Sequence, residues 1–279
     1  MSVCSTHRKR CASLWQARAA IERQYRHGRA SRRERMMASD SRQWLLVTDV
    51  DDTLAGDWSS LCQFAKSCAS VLLVLNSSRP RGSLATTLAE FPVELRVDGA
   101  VSALGTEIEI GGRPCRDWQK QFVNWDRSLV DRILAKEGCE PHPDEMQTAF
   151  KASFAVPASR RSAVAEKIFQ TVPGSRVITS GKSDFDVTPA TANKGAAALH
   201  VASILGIPRD RMIVAGDSGN DLSMFQVADR SIAVGNARRE LIDAADPART
   251  YFARAPRAAG LIEGLLHWGA LAPAHSSYG

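Results

Sequence analysis

Four short apolar runs recur along the chain, and each is continuous rather than alternating between apolar and polar positions. They are QWLLVTDV from Gln43, SVLLVLNSS from Ser70, RMIVAGDS from Arg211 and RSIAVGN from Arg230. Such runs are typical of strands that are buried on both faces of a parallel sheet. Helical patterns lie between them, including NKGAAALHVASILGI from Asn193, which reaches a stop signal at Gly206 and Pro208. The pattern predicts an α/β fold with helices on both faces of the sheet.

The segment between Ser78 and Lys194 is too long for a simple crossover between two parallel strands. It contains a predicted hairpin, an amphipathic helix and a strand, in GTEIEIGGR from Gly105, WQKQFVNWDRSLVDRILAKEG from Trp118 and AFKASFAV from Ala149. We therefore predict a smaller α/β domain over residues 114–184, inserted into a core formed by residues 41–113 and 185–279.

The basic character of the chain is concentrated at its N-terminus. Residues 1–43 hold eleven Lys and Arg against three Asp and Glu, a net charge of +8, and subtracting this from the +6 of the whole chain leaves −2. The remainder therefore carries no electrostatic footprint for a nucleic-acid partner. We expect residues 1–40 to be a separate basic extension, which could be a targeting peptide, a disordered arm or sequence upstream of a true start at Met36 or Met37. The last interpretation is favoured because the first strand follows that pair closely.

Other composition features narrow the class of protein. No apolar run approaches the roughly 18 residues that a membrane-spanning helix requires, so we expect no membrane partner. The six cysteines form no C-x-x-C pair and therefore indicate neither a zinc site nor a disulfide framework. These features favour a cytoplasmic protein, and we expect a monomer.

Acidic residues cluster directly after two of the apolar runs. Asp49 and Asp51 follow the first run, and Asp217 and Asp221 follow the third. Because the carboxyl ends of parallel strands lie at one edge of a sheet, where ligands bind, we expect these carboxylates to converge. Like charges a few ångströms apart raise one another's pKa, so such a cluster needs a positive partner. Oxygen ligands without nearby His or Cys favour Mg²⁺, which also accepts oxygens from a substrate phosphate.

Two competing motif interpretations fail on their spacing. A calcium-binding EF-hand loop counted from Asp49 needs Gly at its sixth position and Glu at its twelfth, where this chain has Leu54 and Ser60. SGKS from Ser180 matches the end of a phosphate-binding P-loop, but the first glycine of that motif would fall at Arg176. The acidic cluster therefore remains the main chemical signal.

Four motifs stand in a fixed order along the chain. They are DVDDT from Asp49, Ser77 and Ser78 of LNSSR, Lys194 of NKG, and GDSGND from Gly216. In order and residue type they resemble the motifs of the haloacid dehalogenase superfamily of phosphatases. Further stretches resemble its sucrose-phosphate phosphatase branch, namely GTEIEI from Gly105, QTAFKASF from Gln147, SGKSDFDVTPATANKG from Ser180 and TYFARAPRAAGLIEGL from Thr250. The resemblance extends from Trp44 onward and implies a Rossmann-like parallel-sheet core with an inserted smaller α/β cap domain.

The resemblance also implies roles for the acidic residues. Asp49 occupies the position of the nucleophile, which attacks phosphorus to form an aspartyl phosphate. Asp51 occupies the position of the acid that protonates the leaving sugar oxygen and later deprotonates water. The implied Mg²⁺ ligands are Asp49, the backbone carbonyl of Asp51, Asp217 and Asp221.

Further residues are implied to hold the substrate. The phosphate-binding candidates are Ser77, Ser78, Lys194 and Asn220. The sugar-binding candidates in the cap and at its junction with the core are Gln147, Lys151 and Asp186. The superfamily usually has Thr then Gly where this chain has Ser77 then Ser78, so the hydroxyl is kept but the backbone beside the phosphate has less freedom.

Three functions follow as hypotheses. The first is a Mg²⁺-dependent phosphatase for a sugar phosphate, with sucrose 6-phosphate leading and mannosyl-3-phosphoglycerate or glucosylglycerol phosphate as alternatives. The second is a phosphomutase, which would require a bisphosphate activator. The third is a non-catalytic sugar-phosphate-binding module, but such a module has no need of a nucleophile and an acid together.

Overall fold

Within residues 44–272, the part of the chain that the computed structural model describes, eight strands form the larger of two sheets. These strands are β1 (Trp44–Thr48), β2 (Val71–Asn76), β3 (Gly99–Ser102), β4 (Glu107–Ile110), β5 (Arg113–Pro114), β10 (Met212–Gly216), β11 (Arg230–Ala233) and β12 (Thr250–Phe252). Their spatial order is β12-β11-β10-β1-β2-β3-β4-β5. The strands from β12 to β3 are parallel, whereas β4 and β5 form an antiparallel edge.

Helices cover both faces of the large sheet. One face is covered by α1 (Trp58–Ser67), α2 (Arg81–Ala89) and α9 (Arg257–His267). The other is covered by α3 (Arg116–Gln119), α6 (Lys194–Leu205), α7 (Leu222–Val227) and α8 (Arg239–Ala244). Side chains of β1 alternate between two separate apolar cores, because Leu46 packs on one face while Leu45 and Val47 pack on the other. This two-sided burial explains the continuous apolar runs and confirms the predicted α/β fold class.

The ends of α6 follow from local sequence. The side chain of Asn193 accepts a hydrogen bond from the backbone N–H of Ala196 at 2.8 Å, which caps the N-terminus of the helix. Gly206 ends the helix in the left-handed conformation, with φ of 68°. The cap places Lys194 in the first helical position, at the carboxyl edge of the sheet.

Four further strands of the described chain form a smaller antiparallel sheet, ordered β6-β7-β9-β8. They are β6 (Glu140–Pro141), β7 (Ala152–Ala155), β8 (Ser175–Ser180) and β9 (Asp184–Pro189). Helices α4 (Arg127–Lys136) and α5 (Ala158–Thr171) pack on one face of this sheet around a third apolar core. The opposite face is free to meet the large domain, and we call this smaller body the cap.

The small sheet extends past one predicted boundary. It continues through β9 to Pro189, so the return to the core lies after the expected boundary between residues 184 and 185. The predicted hairpin forms as β4 and β5, and it extends the large sheet because the open edge of β3 offers backbone partners to β4. The basic extension expected over residues 1–40 lies outside the described residues. No helix in the range 44–272 is both long enough and apolar enough to cross a membrane.

Candidate active site

Asp49 lies at the carboxyl end of β1, the strand that is flanked by β10 and β2 in the large sheet. Its backbone N–H donates to the carbonyl of Ala215 on β10 at 2.9 Å, which continues the ladder between the strands. Its side chain is almost fully buried, since the residue is only 6% exposed. The parallel ladder therefore fixes this carboxylate at the edge of the sheet where parallel α/β folds bind their ligands.

Asp217 and Asp221 belong to the turn that follows β10. One carboxylate oxygen of Asp221 accepts hydrogen bonds from the backbone N–H groups of Asp217 and Ser218, at 3.1 and 3.2 Å. A Cβ atom at Gly216 would lie 2.5 Å from the side chain of Asp221, so this position requires glycine. The turn thus holds both acids in a fixed arrangement.

The predicted convergence of acids is observed for three of the four. Carboxylate oxygens of Asp49, Asp217 and Asp221 all lie within 4.8 Å of one another. Lys194, which is 1% exposed, reaches into this group from the start of α6. Its Nζ donates to Asp49 Oδ1 at 2.6 Å, to Asp221 Oδ1 at 2.7 Å and to Asn220 Oδ1 at 2.9 Å. A lysine in the first turn opposes the helix dipole, and these three contacts explain its presence.

Burial is the main cause of the raised carboxylate pKa values in this cluster. Burial raises the pKa of Asp49 to about 7, with a further contribution from Asp221, although Lys194 opposes the shift. Burial and the nearby charge of Asp49 raise the pKa of Asp217 to about 6. Burial lowers the pKa of Lys194, but the carboxylates of Asp221 and Asp49 outweigh it, and the net shift is upward. One ammonium group does not neutralise three buried carboxylates, so the donor set suits a divalent cation with a preference for oxygen.

Asp51 does not join this cluster. Its carboxylate, 44% exposed, is held by the guanidinium of Arg79 through two hydrogen bonds, from Nε at 2.8 Å and from Nη2 at 2.7 Å. The hydrogen bonds that Arg79 donates to Asp51 raise the pKa of Arg79, although burial opposes the shift. Sequence reasoning missed Arg79, although it stands in the motif LNSSR directly after β2, the strand that neighbours β1.

The predicted phosphate-binding residues lie at the same edge of the sheet. Ser77 is fully buried at the end of β2, where its backbone N–H donates to Val101 and its hydroxyl accepts from the N–H of Arg79 at 3.1 Å. Ser78 is half-buried beside it. Asn220 accepts a hydrogen bond from Lys194, which also donates to the acidic cluster. The structure therefore brings Lys194 and Asn220 into contact and places Ser77 and Ser78 on the neighbouring strand end.

The sugar-binding candidates occupy different environments in the cap. Lys151 and Asp186 form a buried ion pair, with 3.1 Å between Nζ and Oδ1 and side chains that are 1% and 9% exposed. Gln147 has a structural role. Its Nε2 donates to the carbonyls of His142 and Ser153, and its Oε1 accepts from Ser153 N–H and from Arg127. These contacts hold the turn before Lys151, and the expectation that Gln147 also binds sugar stays a prediction.

A second residue that sequence reasoning missed supports the same turn. Arg127, at the start of α4, donates through Nη1 to the carbonyls of Thr148 and Lys151 and is paired with Asp131 at 2.9 Å. Nothing in the local pattern distinguishes Arg127 from the other basic residues of that helix. Its role depends on a contact between a helix and a turn about twenty residues apart.

A cavity of about 360 Å³ separates the cap from the core. The core side contributes Lys194, Asn220 and Ser223, and the cap side contributes residues 176–179 of β8. Lys194, which contacts the acidic cluster, therefore borders a space of the size that small molecules occupy, with the cap as its opposite wall.

The chain is similar to known phosphatases over this whole region. The family model described as sucrose-6F-phosphate phosphohydrolase matches residues 42–269. Mannosylfructose-phosphate phosphatase from Agrobacterium fabrum is 30% identical over 240 residues, which cover 81% of this chain and 96% of that protein. Sucrose-phosphatase 1 from Nicotiana tabacum is 27% identical over 251 residues, and this chain spans 59% of its length.

The fold is also similar to a solved structure with bound product. The sucrose-phosphatase from Synechocystis, determined in complex with sucrose and phosphate, matches with a TM-score of 0.74 and 25% identity. The match covers 82% of this chain and 99% of that one. Both the core and the cap therefore have counterparts in an enzyme of known fold.

Proposed function

We propose, from the premise that this chain belongs to the sucrose-6F-phosphate phosphohydrolase family, that it removes phosphate from a phosphorylated disaccharide, with sucrose 6-phosphate as its substrate. The observation that carries the proposal is the contact between buried Asp49 and Lys194 beside Asp217 and Asp221. A carboxylate fixed among positive groups is arranged to attack a phosphate, whereas a module that only binds sugar phosphates has no need of it.

Mg²⁺ is the proposed cofactor, held by Asp49, Asp217 and Asp221 with the backbone carbonyl of Asp51 as a further ligand. The three side chains offer hard oxygen donors within 4.8 Å of one another, and their negative charge exceeds that of Lys194. When bound, a divalent cation neutralises charge on the phosphate and on the attacking carboxylate.

In the first proposed step, a carboxylate oxygen of Asp49 attacks phosphorus and the bond from phosphorus to the sugar oxygen breaks. Asp51 gives a proton to that oxygen, so that the sugar leaves as a neutral alcohol. Lys194, already 2.6 Å from Asp49, stabilises the negative charge that develops on the phosphoryl group. Asn220 and Ser77 hold the phosphoryl oxygens, and Asp49 ends the step as an aspartyl phosphate.

In the second proposed step, water attacks the aspartyl phosphate and the bond between phosphorus and Asp49 breaks. Asp51 takes the proton that the water loses, which restores both residues. The two hydrogen bonds from Arg79 hold Asp51 outside the acidic cluster, so that it is free to face the leaving group and later the water. Arg79 is therefore proposed as a positioning residue for the acid and base.

The proposed sugar contacts come from the cap. Lys151 directly precedes β7 and Asp186 lies on the neighbouring strand β9, where the flanking Phe185 and Val187 pack toward the helices. Asp186 Oδ1 is buried without a well-directed hydrogen bond, although Lys151 lies 3.1 Å away, so the pair keeps capacity for a hydroxyl group. A charged pair of this kind offers both a donor and an acceptor to a diol.

One observation favours a second substrate. Mannosylfructose-phosphate phosphatase matches this chain over 96% of its own length, so mannosylfructose phosphate belongs in the test. Both candidate substrates are phosphorylated disaccharides that contain fructose, and the site chemistry proposed above applies to either.

The test is phosphate release measured over a panel of substrates with Mg²⁺ and with a chelator. The panel contains sucrose 6-phosphate, mannosylfructose phosphate, mannosyl-3-phosphoglycerate, glucosylglycerol phosphate and p-nitrophenyl phosphate. We expect a disaccharide phosphate to give the highest kcat/KM, and Asp49→Asn to lower turnover by about a thousandfold or more while the protein stays folded. Normal turnover by this variant would remove Asp49 as nucleophile. Turnover only with added sugar bisphosphate would indicate a mutase, and binding without turnover a binding module.

Location and assembly are part of the proposal. We place the enzyme in the cytoplasm as a monomer, in keeping with four cysteines that are free in the described chain, Cys62, Cys68, Cys115 and Cys139. Light scattering of the purified protein tests the assembly state directly.

A further inference from the structure

The wall of the active-site cavity opposite Lys194 is formed by β8, the edge strand of the cap. Residues 176–179 of this strand line the same cavity as Lys194 and Asn220, and Arg176 is the charged residue among them. The strand also packs against the turn Gly219–Asp221, which carries Asn220 and one residue of the acidic cluster, Asp221. Arg176 thus lies across the cavity from the place where the phosphate is proposed to bind.

The strand register fixes the direction of Arg176. Ile178 pairs with Asp186 and Arg176 pairs with Thr188, whereas Val177 pairs with Val187. Val177 and Val187 pack into the apolar core formed with α4 and α5. Because side chains alternate along a strand, Arg176 must point to the opposite face, which is the face that carries Asp186.

Arg176 is half-buried, and its guanidinium forms no ion pair with the described residues. Among residues 44–272 no carboxylate lies within 4.0 Å of its guanidinium, and no side-chain hydrogen bond of Arg176 is formed. Glu240, the acidic residue that lines the same cavity, accepts from the backbone N–H of Gly219 at 3.1 Å instead. Lys194, in contrast, is committed to two carboxylates. The five donors of the Arg176 guanidinium are therefore available to a ligand.

We propose that Arg176 is a specificity-determining residue that donates hydrogen bonds to hydroxyl oxygens of the leaving sugar. This inference rests on the proposed function. The phosphate is held on the core wall by Lys194 and Asn220, so the remainder of the substrate extends toward the cap wall. A cavity of about 360 Å³ lies within the usual range for small-molecule sites, and a sugar ring presents several hydroxyl acceptors to a guanidinium.

The experiment compares Arg176→Met and Arg176→Lys with wild type on two substrates, the disaccharide phosphate that wild type hydrolyses best and p-nitrophenyl phosphate. Arg132→Met is the matched control, because Arg132 is an exposed arginine of α4 on the far side of the small sheet. We expect Arg176→Met to lower kcat/KM for the disaccharide phosphate about ten- to a hundredfold and to change that for the aryl phosphate less than about threefold. Arg176→Lys should recover part of the loss, and Arg132→Met should match wild type on both substrates.

The outcomes separate this inference from the proposed function. If wild type releases phosphate from p-nitrophenyl phosphate but from no disaccharide phosphate, the proposed function fails before any variant is considered, and the sugar contact fails with it. If wild type hydrolyses a disaccharide phosphate and Arg176→Met does so equally well, only the inference fails. Equal losses on both substrates would also overturn it, since Arg176 would then act on the phosphate or on cap folding. Thermal unfolding of each variant distinguishes these last two causes.

Discussion

Replacing Lys194 with methionine should separate two roles of this residue, the stabilisation of buried carboxylates and the proposed binding of phosphate. Methionine keeps most of the length of the side chain but removes the ammonium group, which lies 2.6 Å from Asp49 and 2.7 Å from Asp221. Both acids are buried, and no other side chain in the described structure forms an ion pair with either of them. The variant therefore loses a binding group for phosphate and leaves two buried carboxylates without their partner.

The size of the stability loss follows from this burial. Removing one partner of a buried, hydrogen-bonded ion pair costs about 3–5 kcal/mol, because the remaining charge must be buried alone or neutralised by a proton. A domain of this size loses about 2–4 °C of melting temperature per kcal/mol, so the expected fall in Tm is roughly 6–20 °C. The carboxylates that remain can take up protons, which places the expected value nearer the lower end at acidic pH.

The assay is thermal unfolding in a chelator and again in Mg²⁺, combined with phosphate release. Added Mg²⁺ should recover part of the lost Tm, since the proposed divalent cation supplies positive charge to the same carboxylates. Phosphate release should stay low even when Tm recovers, because Lys194 also contacts the phosphoryl group in the proposed mechanism. Lys66→Met is the control, since Lys66 is an exposed lysine in the last turn of α1.

An unchanged Tm in chelator would refute this reasoning. It would mean that Asp49 and Asp221 do not depend on Lys194 for their burial, despite the short contacts. A lower Tm with full phosphate release would instead remove Lys194 from the catalytic step and leave it a purely structural role.

Two further predictions concern the acids. Asp51→Asn should slow release from a disaccharide phosphate far more than from p-nitrophenyl phosphate, because only the sugar oxygen needs a proton to leave; equal losses in kcat would take Asp51 out of the acid role. In chelator, the free energy of unfolding should fall as pH rises from about 4 to 7. The pKa of Asp49 is raised from 3.8 to about 7 in the folded protein, so over this range the folded protein keeps a proton that the unfolded chain has already released. Thermal unfolding at several pH values, with and without Mg²⁺, checks this, and a slope that is flat or reversed in chelator would contradict it.

The acidic cluster could be predicted because each acid directly follows a recognisable strand and parallel strands end at the same edge of the sheet. Continuous apolar runs identify strands buried on both faces, and parallel strands bring their carboxyl ends to one edge. Asp49 after β1 and Asp217 after β10 therefore had to be neighbours once those two strands paired, as Thr48 and Ala215 do. Lys194 was a candidate through the resemblance of the motif NKG, and the structure places it at a capped helix start beside that edge.

The contacts that were missed depend on how loops and turns fold. Arg79 reaches Asp51 because the chain after β2 turns back toward the loop after β1, and no apolar pattern encodes that turn. Gln147 is a sugar-binding candidate through the resemblance alone, and its hydrogen bond with Ser153, which closes a turn, could not be predicted from the sequence pattern. The small sheet extends beyond residue 184 because β9, with the sequence DFDVTP, pairs with β7 and β8, and its local pattern does not show which sheet the strand joins.

The balance of charge at the site indicates which positive groups the proposed phosphate requires. Three carboxylates and one ammonium group leave two negative charges in the cluster, which one divalent cation would neutralise. A neutral cluster still has to receive a doubly charged phosphate, so further positive groups must face the cavity. The N-terminus of α6 contributes its helix dipole there. In the proposed assignment, Arg176 on the cap contacts the sugar and not the phosphate, so a phosphate without a sugar gains less from the cap.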